Sequence, residues 1–188
     1  AKVSLELCVA NARRGSELEL APARAWTLYV AAHCHTDIGY TDVQTGAIAV
    51  HRRNVDAALD ASDQDFVWNL EVAFQARDYL RRATPERAEL LLAALKSGRI
   101  ACHTAYLNFL SGLMSDEALA RTCLWGGRFT RELGIPHDIA TTTDVPSLCA
   151  AFPSMLAASG VRYFAHGINQ TRGPMLADSP LRQLPFWW

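Results

Sequence analysis

The chain carries the sequence HCHTDIGYT at residues 33–41, directly after an apolar segment at residues 28–32. The apolar segment predicts a buried strand, and α/β enzymes place catalytic groups at the C-terminal ends of parallel strands. In extended backbone His33, His35 and Asp37 point to the same side. Imidazole and carboxylate groups are ligands that zinc accepts, so His35 and Asp37 form a candidate metal site. The alternative interpretation is a set of polar residues that hydrogen-bond to loops at a strand end.

Further apolar or β-branched segments continue the pattern along the chain. They lie at residues 66–70, 100–103, 139–143 and 161–165, and each predicts a strand. Segments with helical periodicity separate them, an alternation that βαβ units with a parallel sheet require. The sequence therefore predicts an α/β fold with parallel strands and with helices outside them.

Three of the predicted helices have clear boundary signals. Thr84 is the cap of the first helix, Pro85 occupies its first position and Gly98 ends it. The other two are predicted at about residues 116–133 and about residues 146–160, each followed or ended by a glycine. No internal repeat interrupts this organisation.

The number of strand–helix units bears on the type of sheet. Five units are too few for a closed (β/α)8 barrel, which takes about 250 residues. We therefore expect an incomplete β/α barrel over residues 25–188, truncated at its C-terminal end, because the sequence finishes on Pro185 and the aromatic run at residues 186–188. Residues 3–9 and 17–20 predict two strands around a turn at residues 11–16. Residues 1–24 are accordingly expected to be an N-terminal hairpin or the tail of an upstream β domain.

Composition excludes several classes of partner. The 188 residues carry a formal net charge of −1, with acids and bases mixed along the chain. This distribution predicts neither nucleic-acid nor anionic-membrane binding. No apolar run approaches the roughly 20 residues of a membrane helix, and the five scattered cysteines lack CxxC spacing. A neutral or modestly polar substrate fits this chain better, while its compartment and oligomeric state stay undetermined.

A second acidic motif follows the fourth predicted strand. The sequence TTTD ends at Asp144, with Pro146 opening the next predicted helix. A carboxylate at this position would project into the same mouth as His35 and Asp37. It could serve as the third metal ligand, as a nucleophile, or as both, and it could also be only an N-cap.

Other polar residues at strand ends are weaker candidates for the same mouth. Each is as readily explained by a structural role, and Asn108 and Asp116 could either bind a sugar hydroxyl or cap a helix. The terminal tryptophans could stack on a sugar ring or pack on other structure. These candidates are Glu71, His103, Asn108, Asp116, His166, Trp187 and Trp188.

The residues taken together resemble a known family. HCHTDIGYT is similar to the His-X-His-X-Asp-X-Gly-Trp/Tyr-Thr signature near the start of glycoside hydrolase family 38, the α-mannosidases. The resemblance continues in order through residues 98–117, Thr143-Asp144 and residues 153–164, and it spans about residues 26–173. Tyr40 stands where many mannosidases have Trp, and the sequence after Asp144 also departs from their pattern. Both departures indicate a divergent branch.

The resemblance implies a fold and a set of roles. The fold would be a seven-stranded β/α barrel, with His35 and Asp37 as zinc ligands and Asp144 as both ligand and nucleophile. His33, Glu71 and Asn108 are our candidate substrate-binding residues. Zinc would bind the 2- and 3-hydroxyls of a mannose-type sugar, in a reaction that retains anomeric configuration. The last metal ligand and the acid/base carboxyl of the family would lie beyond residue 188, so we expect the chain alone to be inactive or nearly so.

Two other classes of function remain open at this level. A metal-dependent carbohydrate deacetylase has a related barrel, in which a metal-bound water attacks an acyl carbon. Such enzymes usually show an adjacent Asp-Asp pair and a His-X-X-X-His pair, and this sequence has neither. The other alternative is a carbohydrate-binding barrel that has lost catalysis.

Overall fold

The computed structural model describes residues 2–9, 12–19, 24–61, 65–145 and 148–167. The chain divides into two compact units, Ala1–Val30 and Ala31–Trp188. None of the described helices is both long and apolar enough to cross a membrane.

The first unit contains an antiparallel hairpin. Strand β1 (Lys2–Val9) pairs with β2 (Ala12–Glu19), with Val9 opposite Ala12. The predicted turn at residues 11–16 is wrong for residues 12–16, because these pair with β1. Residues 10, 11 and 20 lie outside the described residues.

The second unit is built from parallel strands. Strands β3 (Ala32–His33), β4 (Trp68–Leu70) and β5 (Ile100–Cys102) form one sheet in that order, and β6 (Ile139–Thr143) pairs with β7 (Tyr163–Gly167). The Thr104 N–H donates to the Ile139 carbonyl at 2.9 Å, which joins the chain after β5 to the start of β6. The described residues thus form an α/β fold with parallel sheets and no closed barrel.

Helices alternate with these strands, as the sequence predicts. Their bounds are α1 Gln44–Asp60, α2 Ala73–Arg82, α3 Pro85–Ser97, α4 Asp116–Arg121, α5 Leu124–Arg128 and α6 Phe152–Ala158. A 3₁₀ turn at Ser111–Leu113 and a π-helical turn at Phe129–Leu133 complete the described helical segments.

Helix α3 begins and ends where the sequence predicts. The Thr84 side chain accepts a hydrogen bond from the Arg87 backbone N–H at 3.4 Å, and Pro85 takes the first turn. Gly98 ends the helix with φ of +79°, a conformation that costs glycine little. The capping signals of this segment are therefore confirmed.

The strand predicted at residues 28–32 is confirmed only at its end. Leu28, Tyr29 and Val30 are 83–93% exposed and belong to no strand. Pairing with β4 begins at Ala32, opposite Trp68. An apolar run forms a strand only where a neighbour supplies backbone partners, and here those partners begin four residues later.

The helix predicted at residues 116–133 is wrong as a single element. It breaks at residues 122–123 into α4 and α5, and it ends through the π-helical turn at Gly134, where φ is +70°. Tertiary contacts accompany the break: the Tyr106 N–H donates to the Thr122 carbonyl at 3.0 Å, and in α5 a Cβ on Gly126 would lie 3.0 Å from the Thr104 side chain. Tertiary contact, which local periodicity does not encode, thus overrides a continuous helix.

The helix predicted from Pro146 begins later than expected. Helix α6 starts at Phe152, with Pro153 in its first turn, whereas Pro146 lies outside the described residues. The Cys149 N–H donates to the Ser111 hydroxyl at 2.7 Å, a contact of the chain before the helix. Gly160 follows the helix with φ of +89°, so its predicted end is confirmed.

Two apolar clusters support the strands. The first packs α1, α2 and α3 on β4 and β5 through fully buried side chains that include Leu70, Leu91 and Ile100. In the second, Phe152 is fully buried and meets Phe109 and Phe164 edge-on, with ring centroids 5.5 and 5.7 Å apart. Both clusters hold the strands so that their C-terminal ends are fixed relative to one another.

Arg87 ties helix α3 to α1 and α2. Its guanidinium donates to the Asp56 carboxylate at 2.6 Å, to Asp60 at 2.6 Å and to the Tyr79 hydroxyl at 3.2 Å. Tyr79 is buried and also donates to Asp56. Removal of Arg87 would therefore remove these bonds from α3 to both neighbouring helices at once.

We expect Arg87→Ala to lower the free energy of unfolding by about 1–2 kcal/mol, because it removes a partly buried, multiply bonded ion. The matched control is Arg82→Ala, whose side chain is 63% exposed and pairs with Asp78 in the same helix. That control should cost no more than about 0.5 kcal/mol. Urea unfolding monitored by circular dichroism measures both, and equal losses would contradict the assigned role of Arg87.

Candidate metal centre

The parallel register brings two predicted site residues to the same level. His33 on β3 lies opposite Asn69 on β4. His35 and Glu71 each follow two residues later, so their side chains leave neighbouring strand ends on the same side. His35 Nδ1 and Glu71 Oε1 are accordingly 2.9 Å apart.

The other nitrogen of His35 faces two more carboxylates. His35 Nε2 lies 3.1 Å from Asp37 Oδ1 and 3.9 Å from Asp144 Oδ2. One ligand atom from each of these three residues lies within 4.8 Å of the others. The structure thus brings together the three metal ligands that the sequence suggests.

Asp144 reaches the group through an unusual backbone conformation. Its φ is +60°, the one positive value at a non-glycine residue among those the structure describes. Asp is one of the few side chains that tolerate this left-handed region, and such residues cluster at functional sites. On the preceding residue, the Thr143 N–H donates to Asn108 Oδ1 at 3.4 Å, which links the end of β6 to the segment after β5.

The three side chains suit a small divalent cation. Two ligands of a tetrahedral zinc, each about 2.0–2.1 Å from the ion, lie roughly 3.3–3.4 Å apart. The His35–Asp37 and His35–Asp144 distances bracket that separation. One imidazole with two carboxylates is a donor set that zinc accepts, and manganese and cobalt can share it. The residues present therefore fit a metal ion without fixing its identity.

The electrostatic field at His35 also favours a cation. Burial of the ring opposes protonation, but the hydrogen bond to Glu71 and the charges of Glu71, Asp37 and Asp144 outweigh it and raise the pKa of His35. A raised imidazole pKa reports a negative potential at the ring. The same potential attracts a metal ion to the position that Nε2 faces.

The three ligand residues open onto a cleft of about 300 Å³. The apolar side chains of Phe109, Leu110 and Val145 are part of its wall. The sequence did not predict this, because apolar residues near strand ends usually fill a core. The cleft is lined by His35, Asp37, Tyr40, Asn108, Phe109, Leu110, Thr143, Asp144 and Val145.

One of the three substrate-binding candidates lies on the cleft and two do not. Asn108 lines the cleft, whereas His33 and Glu71 do not. His33 is exposed, and Glu71 is 4% exposed beneath His35. Their predicted contact with substrate stays a prediction.

The weaker candidates are held in structural contacts. His103 is buried, its Nδ1 lies 2.6 Å from Thr141 Oγ1, and burial together with His33 lowers the pKa of His103 to about 4. His166 Nδ1 lies 2.7 Å from Thr142 Oγ1. Asp116 is exposed in the first turn of α4, which Ser115 caps. Trp187 and Trp188 lie outside the described residues.

Sequence reasoning missed a buried histidine behind the metal-site loop. His51 on α1 is 4% exposed, and neither ring nitrogen has a partner of normal hydrogen-bond geometry among the described residues. Burial lowers the pKa of His51, against the opposing effects of the nearby Thr36 backbone and of the Glu71 and Asp78 carboxylates. Its position in the middle of α1 did not predict that its side chain would lie near Thr36.

Fold and site together define an α/β protein with a cluster of one imidazole and two carboxylates, a candidate metal centre, at the C-terminal ends of parallel strands. Residues 25–171 match the model of the glycosyl hydrolases family 38 N-terminal domain. The chain therefore belongs to glycosyl hydrolase family 38. This confirms the family that the sequence motifs indicate.

Solved structures show the same fold. The chain is similar to an alpha-mannosidase from Enterococcus faecalis V583, with a TM-score of 0.63 and 22% identity over 72% of this chain. It is also similar to a family 38 protein from Enterococcus faecalis, with a TM-score of 0.60 and 22% identity over 73% of this chain. Each match covers 16% of the longer chain, so this chain spans a small part of the proteins it resembles. Among curated proteins, none matches the sequence.

We expect Asp144→Asn to weaken zinc binding by at least the roughly 10–100-fold that loss of an outer-shell partner causes. Asn tolerates the left-handed conformation of residue 144, so the substitution removes charge without new backbone strain. Competition with a chromophoric chelator measures the affinity. Asp138→Asn, a half-exposed position just before β6, is the matched control and should bind zinc as the unaltered chain does. Equal affinities for both variants would exclude Asp144 as a ligand.

Proposed function

We propose that this chain is part of a retaining, metal-dependent glycoside hydrolase that acts on α-mannosides or related glycans. The observation that carries the proposal is the convergence of His35, Asp37 and Asp144 on one cleft in a chain of family 38. The five parallel strands of the second unit would form part of the seven-stranded barrel that the resemblance implies.

In this proposal His35, Asp37 and Asp144 hold a divalent cation, most simply zinc. When bound there, the ion would supply positive charge to which hydroxyl groups of the sugar could bind, as the 2- and 3-hydroxyls do in the resemblance. Asn108, on the same cleft wall, offers two amide N–H donors to a sugar hydroxyl while its oxygen accepts from Thr143. Tyr40 and Phe109 supply aromatic surface for the apolar edges of the ring.

Asp144 is the proposed nucleophile. A carboxylate has two oxygens, so one can face the metal while the other attacks the anomeric carbon. The new bond joins an Asp144 oxygen to that carbon, and the bond to the aglycone oxygen breaks as a second carboxyl donates a proton to the leaving group. Water, activated by the same second carboxyl, then releases the sugar and restores Asp144.

Retention needs the second carboxyl about 5–5.5 Å from the nucleophile. We assign none of the described residues to that role, and we propose that it, with a further metal ligand, comes from outside residues 1–188. The chain alone should therefore bind metal but turn over little or no substrate.

A fluorinated substrate provides the most specific test of the proposed nucleophile. We expect a 5-fluoro α-mannosyl fluoride to label the complete protein at Asp144, because fluorine slows hydrolysis of the covalent intermediate. Peptide mass spectrometry locates the label. Absence of a label, with release of acetate from an N-acetylated sugar, would favour the deacetylase alternative.

Asp144→Asn in the complete protein should reduce hydrolysis of an aryl α-mannoside by about 10³-fold or more, since it removes the attacking group. Asp138→Asn is again the matched control and should retain full activity. Full activity in Asp144→Asn would exclude the mechanism, and turnover by the 188-residue chain alone would exclude the missing-carboxyl assignment.

A further inference from the structure

We propose that Glu71 is a positioning residue that sets both the orientation and the tautomer of His35. The inference rests on the proposed metal centre and concerns its supporting shell. It assigns Glu71 a role different from the substrate contact that the sequence suggests.

The two ring nitrogens of His35 have different partners. Its two nitrogens point in different directions: Nδ1 to Glu71 Oε1 at 2.9 Å, and Nε2 to Asp37 and Asp144 at 3.1 and 3.9 Å. An ionised carboxylate only accepts hydrogen bonds, so Glu71 requires a proton on Nδ1. In the metal-free chain Asp37 Oδ1 competes for a proton on Nε2. When the more buried Glu71 holds the proton on Nδ1, Nε2 is the nitrogen left to bind a metal ion.

The burial of Glu71 carries the second step. The residue is 4% exposed, and a buried carboxylate costs free energy unless a donor pairs with it. His35 Nδ1–H is such a donor, so the contact benefits both groups. A half-exposed sugar-binding carboxylate would instead lie on the cleft wall, and Glu71 is not among the cleft-lining residues.

The backbone of Glu71 connects it to the strand that leads to Asp144. Glu71 directly follows β4, and its carbonyl accepts from the Thr141 hydroxyl at 3.4 Å. Thr141 lies on β6, three residues before Asp144. Glu71 is thus connected to the strand that supplies one ligand and bonded to the side chain that supplies another. A change at this residue should act on the metal through His35.

Two substitutions separate hydrogen bonding from charge. Glu71→Leu keeps an apolar side chain of similar size but offers His35 no acceptor. Glu71→Gln keeps a hydrogen-bonding group that can either accept from Nδ1 or donate to it. Glu117→Gln is the matched control, because it removes one carboxylate from an exposed pair with Arg121 on α4.

The first measurement uses the metal-free chain. Nitrogen-15 NMR of labelled histidine at pH 9 reports which ring nitrogen carries the proton, and His35→Ala identifies the His35 signals. We expect the largest Nδ1–H fraction in the unaltered chain and in Glu117→Gln, and a smaller fraction in Glu71→Gln. Glu71→Leu should shift to the Nε2–H tautomer, because Asp37 is then the carboxylate that accepts from the ring. Urea unfolding of each variant verifies that it is folded.

The second measurement is zinc affinity by chelator competition. We expect Glu71→Leu to bind zinc about 10–100-fold more weakly, Glu71→Gln to lie between it and the unaltered chain, and Glu117→Gln to show no change. An unchanged tautomer together with unchanged affinity in Glu71→Leu would overturn the proposal. An unaltered chain that binds no zinc would contradict the proposed function, and the tautomer comparison would then decide the role of Glu71 alone.

Discussion

The parallel pairing of β3 with β4 is the constraint on which the candidate site depends. With His33 opposite Asn69, the chain two residues further on must place His35 beside Glu71. A slip of one residue would turn either side chain to the opposite face of the sheet. The 2.9 Å contact between them is therefore a consequence of register, and register in turn depends on the apolar packing of Leu70 and Ile100 behind the strands.

Charge follows from that register. Three carboxylates, from Asp37, Glu71 and Asp144, approach one imidazole, an arrangement that raises the His35 pKa despite partial burial. Carboxylates this close together repel one another, and the repulsion costs free energy unless a cation compensates the charge. The positive φ of Asp144 adds a local backbone cost at the same place. Both features are expected of a functional site and have no evident benefit for the fold alone.

The sequence predicted those parts of the structure that depend on local signals. The bounds 139–143 of β6 match the predicted strand, and the cap at Thr84 and the glycine stop at Gly98 are where capping chemistry puts them. Elements that depend on distant partners were predicted less well. Residues 28–30 are apolar but find no strand partner, and the helix predicted at 116–133 is interrupted at residues 122–123, where the Thr122 carbonyl accepts from the Tyr106 N–H.

The site itself divides in the same way. The alternation of His35 with Asp37 and the position of Asp144 after a strand were enough to predict a shared metal site. The burial of Glu71 beneath His35 was not, because a strand-end acid can face either substrate or a neighbouring side chain, and only the register decides between them. The conformation of Asp144 was likewise unpredictable, since Asp is common in both ordinary and left-handed backbone.

The central claim is that His35, Asp37 and Asp144 bind one metal ion. The most direct measurement is the anomalous difference density of zinc-loaded crystals, collected on both sides of the zinc absorption edge. The account predicts one peak about 2.0–2.2 Å from His35 Nε2 and from one carboxylate oxygen of each Asp. A zinc peak that contacts none of these three side chains would contradict the claim. So would crystals grown with excess zinc in which the three side chains lie too far apart to bind one ion.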